Sequence, residues 1–216
     1  LLLRSVSPPY IRNWKVYYGD VLQHFLEPNN FRMLQQEARG IPQWTPWPEQ
    51  QHYSTETSTS SWTVFPLVHT FPAQSASNRK WIQSTSTFCP HTCRMLREKN
   101  FLNNKLRTAL FSRLGPDTTL SPHTGWEDLA NFVLRVHIPL LVPSNCGTWV
   151  DGCVQTHEEG VVQVFDDSKV HRAFNYHPTE ERIVLIIDLV RPESLPIGTA
   201  VGGHTEELDE FIKDML

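Results

Sequence analysis

Mainly β structure with flanking helices, closing into a sandwich or barrel, is the fold class this sequence predicts. Three observations lead there. From about residue 118 onward, short apolar runs are separated by polar turn clusters such as VPSN, EEG and NYHPTEE, with no helical pattern between them. Sixteen prolines against ten glycines disfavour long uninterrupted helices, because proline breaks a helix interior. The helical patterns that do occur lie before this β-rich half or at the very end of the chain.

Taken in order, Asp20 to Phe25 reads as a short helix. A second begins with Pro28 in its first turn, carries Phe31, Leu34 and Ala38 on one face, and closes at Gly40. Residues 41–61, rich in Pro, Trp, Gln, Ser and Thr, read as a loop. Helices are expected around Thr92 to Glu98 and around Leu102 to Phe111. Strands follow at Val133 to Pro139, Gly147 to Gln155, Gly160 to Phe165 and Ile183 to Val190. The last segment, Thr205 to Leu216, places Leu208, Phe211, Ile212 and Met215 at helical spacing behind an N-terminus of Thr205, Glu206 and Glu207. It reads as a packing helix.

The 216 residues suit one domain with an elaborated end, at a prior of about 150 residues per domain. With 39% hydrophobic and 19% charged residues the chain is not a disordered one. A net charge of −4 and the lack of any basic block argue against a nucleic-acid partner. No apolar run approaches the roughly 18 residues of a membrane span. The start at Leu1 without methionine reads as trimmed and leaves a leader or anchor upstream open, so no localisation is assigned. Four cysteines are too few for a disulfide scaffold, although a Cys146–Cys153 bridge across a hairpin is compatible with their spacing.

Several residues could carry chemistry. His123 in LSPHTG and His171 in FDDSKVH sit beside small or polar turn residues, outside any apolar alternation. Neutral imidazole is the commonest metal ligand, and two would leave most of an octahedral iron site open. The bland alternative is that two of ten histidines fall in loops by chance. Arg182 opens RIVLIIDLV, a strand apolar on both faces, so its charge needs an anionic partner. That partner is either a structural carboxylate such as Asp188 or Glu181, or a bound acid held by the guanidinium fork. Arg135 and His137 alternate in LRVHI and share one face, either around a ligand in a barrel interior or on a solvated exterior.

FSRLGPDTTLSPHTG, NFVLRVHIPLLVP, EEGVVQVFDDSKVH and EERIVLIIDLVRPE, together with FCPHTCRML upstream, resemble the aspartyl/asparaginyl β-hydroxylase family in the same order. The resemblance implies a double-stranded β-helix (jelly-roll, cupin-like) core. It implies Fe(II) as metal, with 2-oxoglutarate and O2 as cosubstrates. It divides the chain into an N-terminal extension over 1–61 that could act as a substrate lid, a core over 62–192, and a C-terminal tail and helix over 193–216. His123 and His171 match the iron ligands. Ser112 and Arg182 match the pair on the distal carboxylate of 2-oxoglutarate, His137 a further cosubstrate histidine, and Arg135 an arginine at the cosubstrate and substrate carboxylates. Asp166 and Asp167 match the acidic turn before the second ligand and are expected to fix that loop.

The chain departs from the family pattern in its extra residues WEDLA after Gly125, in Lys169 and Arg172 around the second histidine, and in His157 before the EEG turn. Those departures bear on the substrate, and Trp126, Glu127, Arg135 and His157 are the substrate-region candidates. Gly125 stands where most oxygenases of the wider class place an acid ligand, two residues after the first histidine. The expected reaction is hydroxylation of an unactivated C–H bond with release of succinate and CO2, on a small molecule or an Asp/Asn side chain of a peptide. Two alternatives stay open: a non-catalytic cupin-like binding module, and a related oxygenase that halogenates. Glu127 and Asp128 could fold back towards the Gly125 vacancy and repel a halide.

Overall fold

In the computed structural model, which describes residues 7–53, 61–98 and 102–215, two helices open the chain, α1 (Lys15–Leu26) and α2 (Pro28–Arg39). They are followed by β1 (Thr45–Pro46), β2 (Trp62–Thr70), β3 (Arg79–Trp81), α3 (Gln83–Ser86), α4 (Pro90–Arg97) and α5 (Leu102–Lys105). The β-rich part then runs through β4 (Leu106–Leu114), β5 (Thr118–Thr119), α6 (Glu127–Ala130), β6 (Val133–Leu141), β7 (Cys146–Val150) and β8 (Cys153–Thr156). It ends with β9 (Gln163–Phe165), β10 (His171–Asn175), β11 (Arg182–Val190) and α7 (Glu206–Asp214).

Two antiparallel sheets result. The larger has the order β1-β2-β4-β11-β6-β9 with β3 beside β2, and the smaller has β5-β10-β7-β8. Strand alternation sorts the large sheet's residues between two environments. On its outer face Phe111, Val136, Ile138, Leu185 and Ile187 pack with Leu22, Phe25 and Leu34 of α1 and α2 and with Met95 and Leu96 of α4 in one apolar core. The opposite residues, among them Ser112, Arg135, His137, Arg182 and Asp188, are polar. The sheet is therefore apolar where helices cover it, and its other face carries these polar groups beside apolar residues such as Val64, Leu110 and Ile186. This is the jelly-roll arrangement expected.

Several local expectations change. Leu102 to Phe111 forms only a one-turn helix before becoming β4, which pairs with β2 on one side and β11 on the other. The spacing of Leu102, Leu106, Ala109 and Leu110 fits both periods, and pairing on two edges decides for the strand. Gly147 to Gln155 is a hairpin, turned at Asp151 (φ 46°) and Gly152 (φ 87°). The first helix is longer than Asp20 to Phe25, and β2, with Pro66 inside it, lies where no strand was expected. Cys146 and Cys153 are both free, and the buried Cys146 thiol donates to Asn175 Oδ1 at 3.0 Å. The final helix forms as expected, its Thr205 hydroxyl accepting from the Leu208 N–H at 3.2 Å.

Candidate active site

The smaller sheet brings the two predicted histidines together. His123 and His171 exchange backbone hydrogen bonds of 3.0 and 2.8 Å, and their ring centroids lie 4.5 Å apart. Each Nδ1 meets a carbonyl two residues earlier, Ser121 O for His123 and Lys169 O for His171, both at 2.8 Å. A carbonyl only accepts, so Nδ1 carries the proton and each Nε2 keeps its lone pair. Burial holds both imidazoles neutral. It pulls His171 down to about 4, with Arg135 adding to the shift, and pulls His123 well below its ordinary value, with His171 and His52 adding. Neutral imidazoles with free Nε2 lone pairs are what a metal requires.

The acidic turn ahead of His171 divides its labour. Asp166 pairs with Arg191 and accepts from the Ser168 N–H and hydroxyl at 3.1 and 2.7 Å, which locks the loop. Asp167 turns inward. Its Oδ1 stands 2.6 Å from Arg135 Nη1 and 3.4 Å from His171 Nε2. Arg135 in turn holds Asp188 through two hydrogen bonds, 2.8 Å from Nε and 3.0 Å from Nη2. Burial works against the Arg135 charge, and the two carboxylates outweigh it. Two carboxylates around one guanidinium beside two neutral imidazoles suit a cation.

Gly125 is tied to this turn by its N–H, which donates to Asp167 O at 3.0 Å. A Cβ there would lie 2.1 Å from Asp167 Oδ2 and 2.8 Å from Ala130 Cβ. The position two residues after His123 therefore has no room for an acid. Among the described residues no group of three or more His, Cys, Asp or Glu is placed to hold a metal, so the pair of histidines stands alone.

The second predicted group converges in the barrel interior. Arg182 is 1% exposed, and the partners considered for it are taken: Asp188 holds Arg135, and Glu181 lies 3.4 Å from Arg113. Its hydrogen bond runs from Nη2 to Ser112 Oγ at 3.3 Å, while Nε and Nη1 have no partner among the described residues. Trp62 Nε1 donates to the same Ser112 oxygen at 3.1 Å. Burial pushes Arg182 down to about 10. His137 and His157, 5.7 Å apart, are both buried and shifted well below the ordinary histidine range, with the Arg182 charge contributing. Among the described residues Nδ1 of His137 and both nitrogens of His157 have no hydrogen bond of good geometry, although the Gln163 side chain lies close enough to His157 to act on it. A buried cation and two imidazoles with no carboxylate among them form a pocket for an anion. His157, a substrate-region candidate in the sequence, lines this pocket beside His137.

Three residues missed in the sequence complete the site. Trp47 stacks on Trp62 at 4.5 Å and on Trp126 at 5.8 Å, and His52 stacks on His123 at 4.3 Å. Glu49, 1% exposed, accepts from Trp47 Nε1 at 3.2 Å and Trp126 Nε1 at 3.1 Å, and sits 3.4 Å from His52. The only sequence signal was the density of Trp and Pro in WTPWPEQQH. Beyond this aromatic wall an apolar chamber extends from His123 and Gly125 to His69, with α7 along one side. Trp126 lines it. Glu127 is exposed outside it, and Asp128 lies 3.3 Å from His204, so neither turns back to Gly125.

The fold is that of an Fe(II)- and 2-oxoglutarate-type oxygenase. It superposes on an oxidoreductase of the 2OG-Fe(II) oxygenase family from Burkholderia pseudomallei with a TM-score of 0.59, covering 84% of this chain and 92% of that one at 12% identity. The aspartyl/asparaginyl β-hydroxylase profile matches residues 28–192, and the chain belongs to that family. It is 36% identical over 115 residues to aspartate β-hydroxylase domain-containing protein 2 of Xenopus tropicalis, covering 51% of this chain and 30% of that protein. It is 38% identical over 94 residues to the ornithine lipid ester-linked acyl 2-hydroxylase of Rhizobium tropici, covering 42% of this chain and 32% of that protein. The matches thus span about a third of these relatives' length. No helix among the described residues is long and apolar enough to cross a membrane.

Proposed function

We propose that this chain is an Fe(II)/2-oxoglutarate-dependent dioxygenase that hydroxylates an unactivated C–H bond, with release of succinate and CO2. The observation that carries the reading is the orphaned Arg182 cluster beside two neutral, preoriented histidines. His123 and His171 would hold the iron through Nε2. Bound there, iron supplies the oxygen activation that couples decarboxylation of 2-oxoglutarate to hydroxylation. Arg182 and Ser112 would take the distal carboxylate of 2-oxoglutarate, since Arg182 has unused donors and no acid among the described residues satisfies them. His137 and His157 would line the same pocket. Arg135 keeps Asp167 in place beside His171, and the stacked Trp47, Trp62 and Trp126 keep bulk water away.

Hydroxylation is favoured over halogenation because the space beside Gly125 is occupied by the Asp167 carboxylate, which opposes a halide there. A small molecule with apolar surface suits the chamber beyond His123 better than an isolated Asp or Asn side chain. The name of the Rhizobium tropici relative, which specifies an ester-linked acyl group, points the same way. The test is anaerobic titration with Fe(II) or Mn(II), followed by aerobic assay of succinate release over a panel of metabolites, acyl compounds and peptides. His123→Ala and His171→Ala are expected to lose metal binding while remaining folded. Metal affinity unchanged in both variants would end the reading.

A further inference from the structure

Two buried polar side chains face the chamber without partners. A β-bulge in β2, between Pro66 and Val68, shifts the strand's alternation by one residue. Ahead of it Val64 and Pro66 line the chamber, while Phe65 joins the outer core. After it Val68, paired with Ala109, packs in that outer core and also borders the chamber, and His69 lines the chamber together with Thr108 of β4. Each is 6% exposed. Neither ring nitrogen of His69 nor Thr108 Oγ1 has a hydrogen-bond partner among the described residues. Buried polar atoms are normally satisfied, so three unmet ones along one cavity mark a ligand contact.

Carbon makes up most of the remaining lining: Val64, Ile82, Leu110 and Ile186 on the sheet side, Phe211 and Met215 from the C-terminal segment. Arg135 lies in the wall, but its guanidinium is committed to Asp167 and Asp188. His69 is itself uncharged, since burial pushes it down to about 4, with Lys80 and His204 adding to the shift. A neutral imidazole offers one donor and one acceptor, and the Thr108 hydroxyl offers both.

We propose that this chamber binds the body of the substrate, and that the substrate is an electrically neutral molecule: an apolar skeleton carrying a hydroxyl, ester or ketone oxygen that His69 and Thr108 receive. A carboxylate or ammonium group at this end would be stripped of water without a counter-charge. The substrate role rests on the proposed oxygenase reading, whereas binding in the chamber does not require the metal.

Trp47, Trp62 and Trp126 line the same cavity, so their fluorescence reports occupancy in metal-free protein. The probes are 1-octanol, methyl octanoate, octanoate, octylamine and 1-chlorooctane. The alcohol and the ester are expected to bind at least about tenfold more tightly than the two charged probes. His69→Leu should weaken the alcohol and ester about tenfold and leave 1-chlorooctane unchanged, and the near-isosteric Thr108→Val should act in the same direction by about threefold. Should His69→Leu fail to fold, Thr108→Val carries the comparison. No binding by any probe, charged probes binding as tightly as neutral ones, or an unchanged alcohol-to-chloride preference in the folded variants would overturn the proposal. Succinate assays separate the two readings. Selective probe binding without iron-dependent succinate release rejects the oxygenase function and keeps the chamber; turnover without selective binding rejects the chamber.

Discussion

Arg182→Met separates a binding residue from a structural one by the sign of its effect on stability. Methionine keeps much of the length of arginine and removes the charge. Burial pushes Arg182 down from its ordinary value to about 10, which corresponds to the interior disfavouring its charged form by about 3 kcal/mol. At pH 7 Arg182 is charged in the folded and the unfolded chain alike, so that penalty is fully present. The variant forfeits the hydrogen bond to Ser112, about 1 kcal/mol. The net expectation is a gain of about 2 kcal/mol, or roughly 4–8 °C in melting temperature for a chain of this size. The assay is thermal unfolding with and without 2-oxoglutarate in the presence of Mn(II). Wild-type protein should be stabilised by the acid, and Arg182→Met should start higher and fail to respond. A variant less stable than wild type would show that Arg182 has a structural partner and would refute the assignment.

Gly125→Asp is expected to weaken metal binding, not restore an acid ligand, because its Cβ meets Asp167 Oδ2 at 2.1 Å; urea unfolding should show a loss of about 1–3 kcal/mol. Burial pulls His69 and His171 down to about 4 in the folded chain, against about 6.5 when unfolded, so the unfolded chain binds more protons between these values and stability is lost as pH is lowered through that window. Denaturation at pH 7 and pH 4 should show a drop of about 3 kcal/mol per residue at most, and His69→Leu should remove its share. Arg191→Leu leaves the buried Asp166 without its cation, so urea titration should show a loss of about 3–5 kcal/mol, with a looser metal site because the turn before His171 loses its anchor.

Much of this architecture was legible because period-2 patterning and burial agree in β6 and β11. There the apolar residues of one parity meet the helices, and Arg135, His137, Arg182 and Asp188 fall on the other face. The motif around each histidine was also legible, since short polar turns fix both positions. β4 was not, because LRTALFSRL carries both periods and only pairing with β2 and β11 settles it. His69 was invisible for a related reason: a bulge is one extra residue, and it reverses inward and outward for everything after it. Glu49 and His52 were hidden in a segment whose composition reads as loop. Nothing in WTPWPEQQH states that its carboxylate gathers two indole N–H groups against the first histidine.

How the buried polar groups are satisfied separates scaffold from site. Asp166 with Arg191, and Arg135 with Asp167 and Asp188, are charge pairs whose partners are within the fold; each fixes a turn or joins two strands. Arg182, His137 and His157 on one side, and His69 and Thr108 on the other, are buried to a similar degree yet keep atoms without partners. Burial without pairing lowers stability, so these two groups are places where the chain gives up stability for binding. Their chemistry differs in the way two different ligands would require. The first contains a guanidinium with no acid paired to it among the described residues, which selects an anion; the second contains only neutral donors and acceptors in a carbon lining, which rejects one. His69 and His123 line a single cavity, and Trp62 reaches from that cavity to Ser112 in the anion pocket. An anionic cosubstrate and a neutral substrate would thus approach the histidine pair from separate compartments, the anion being kept out of the apolar chamber by the cost of stripping its charge of water.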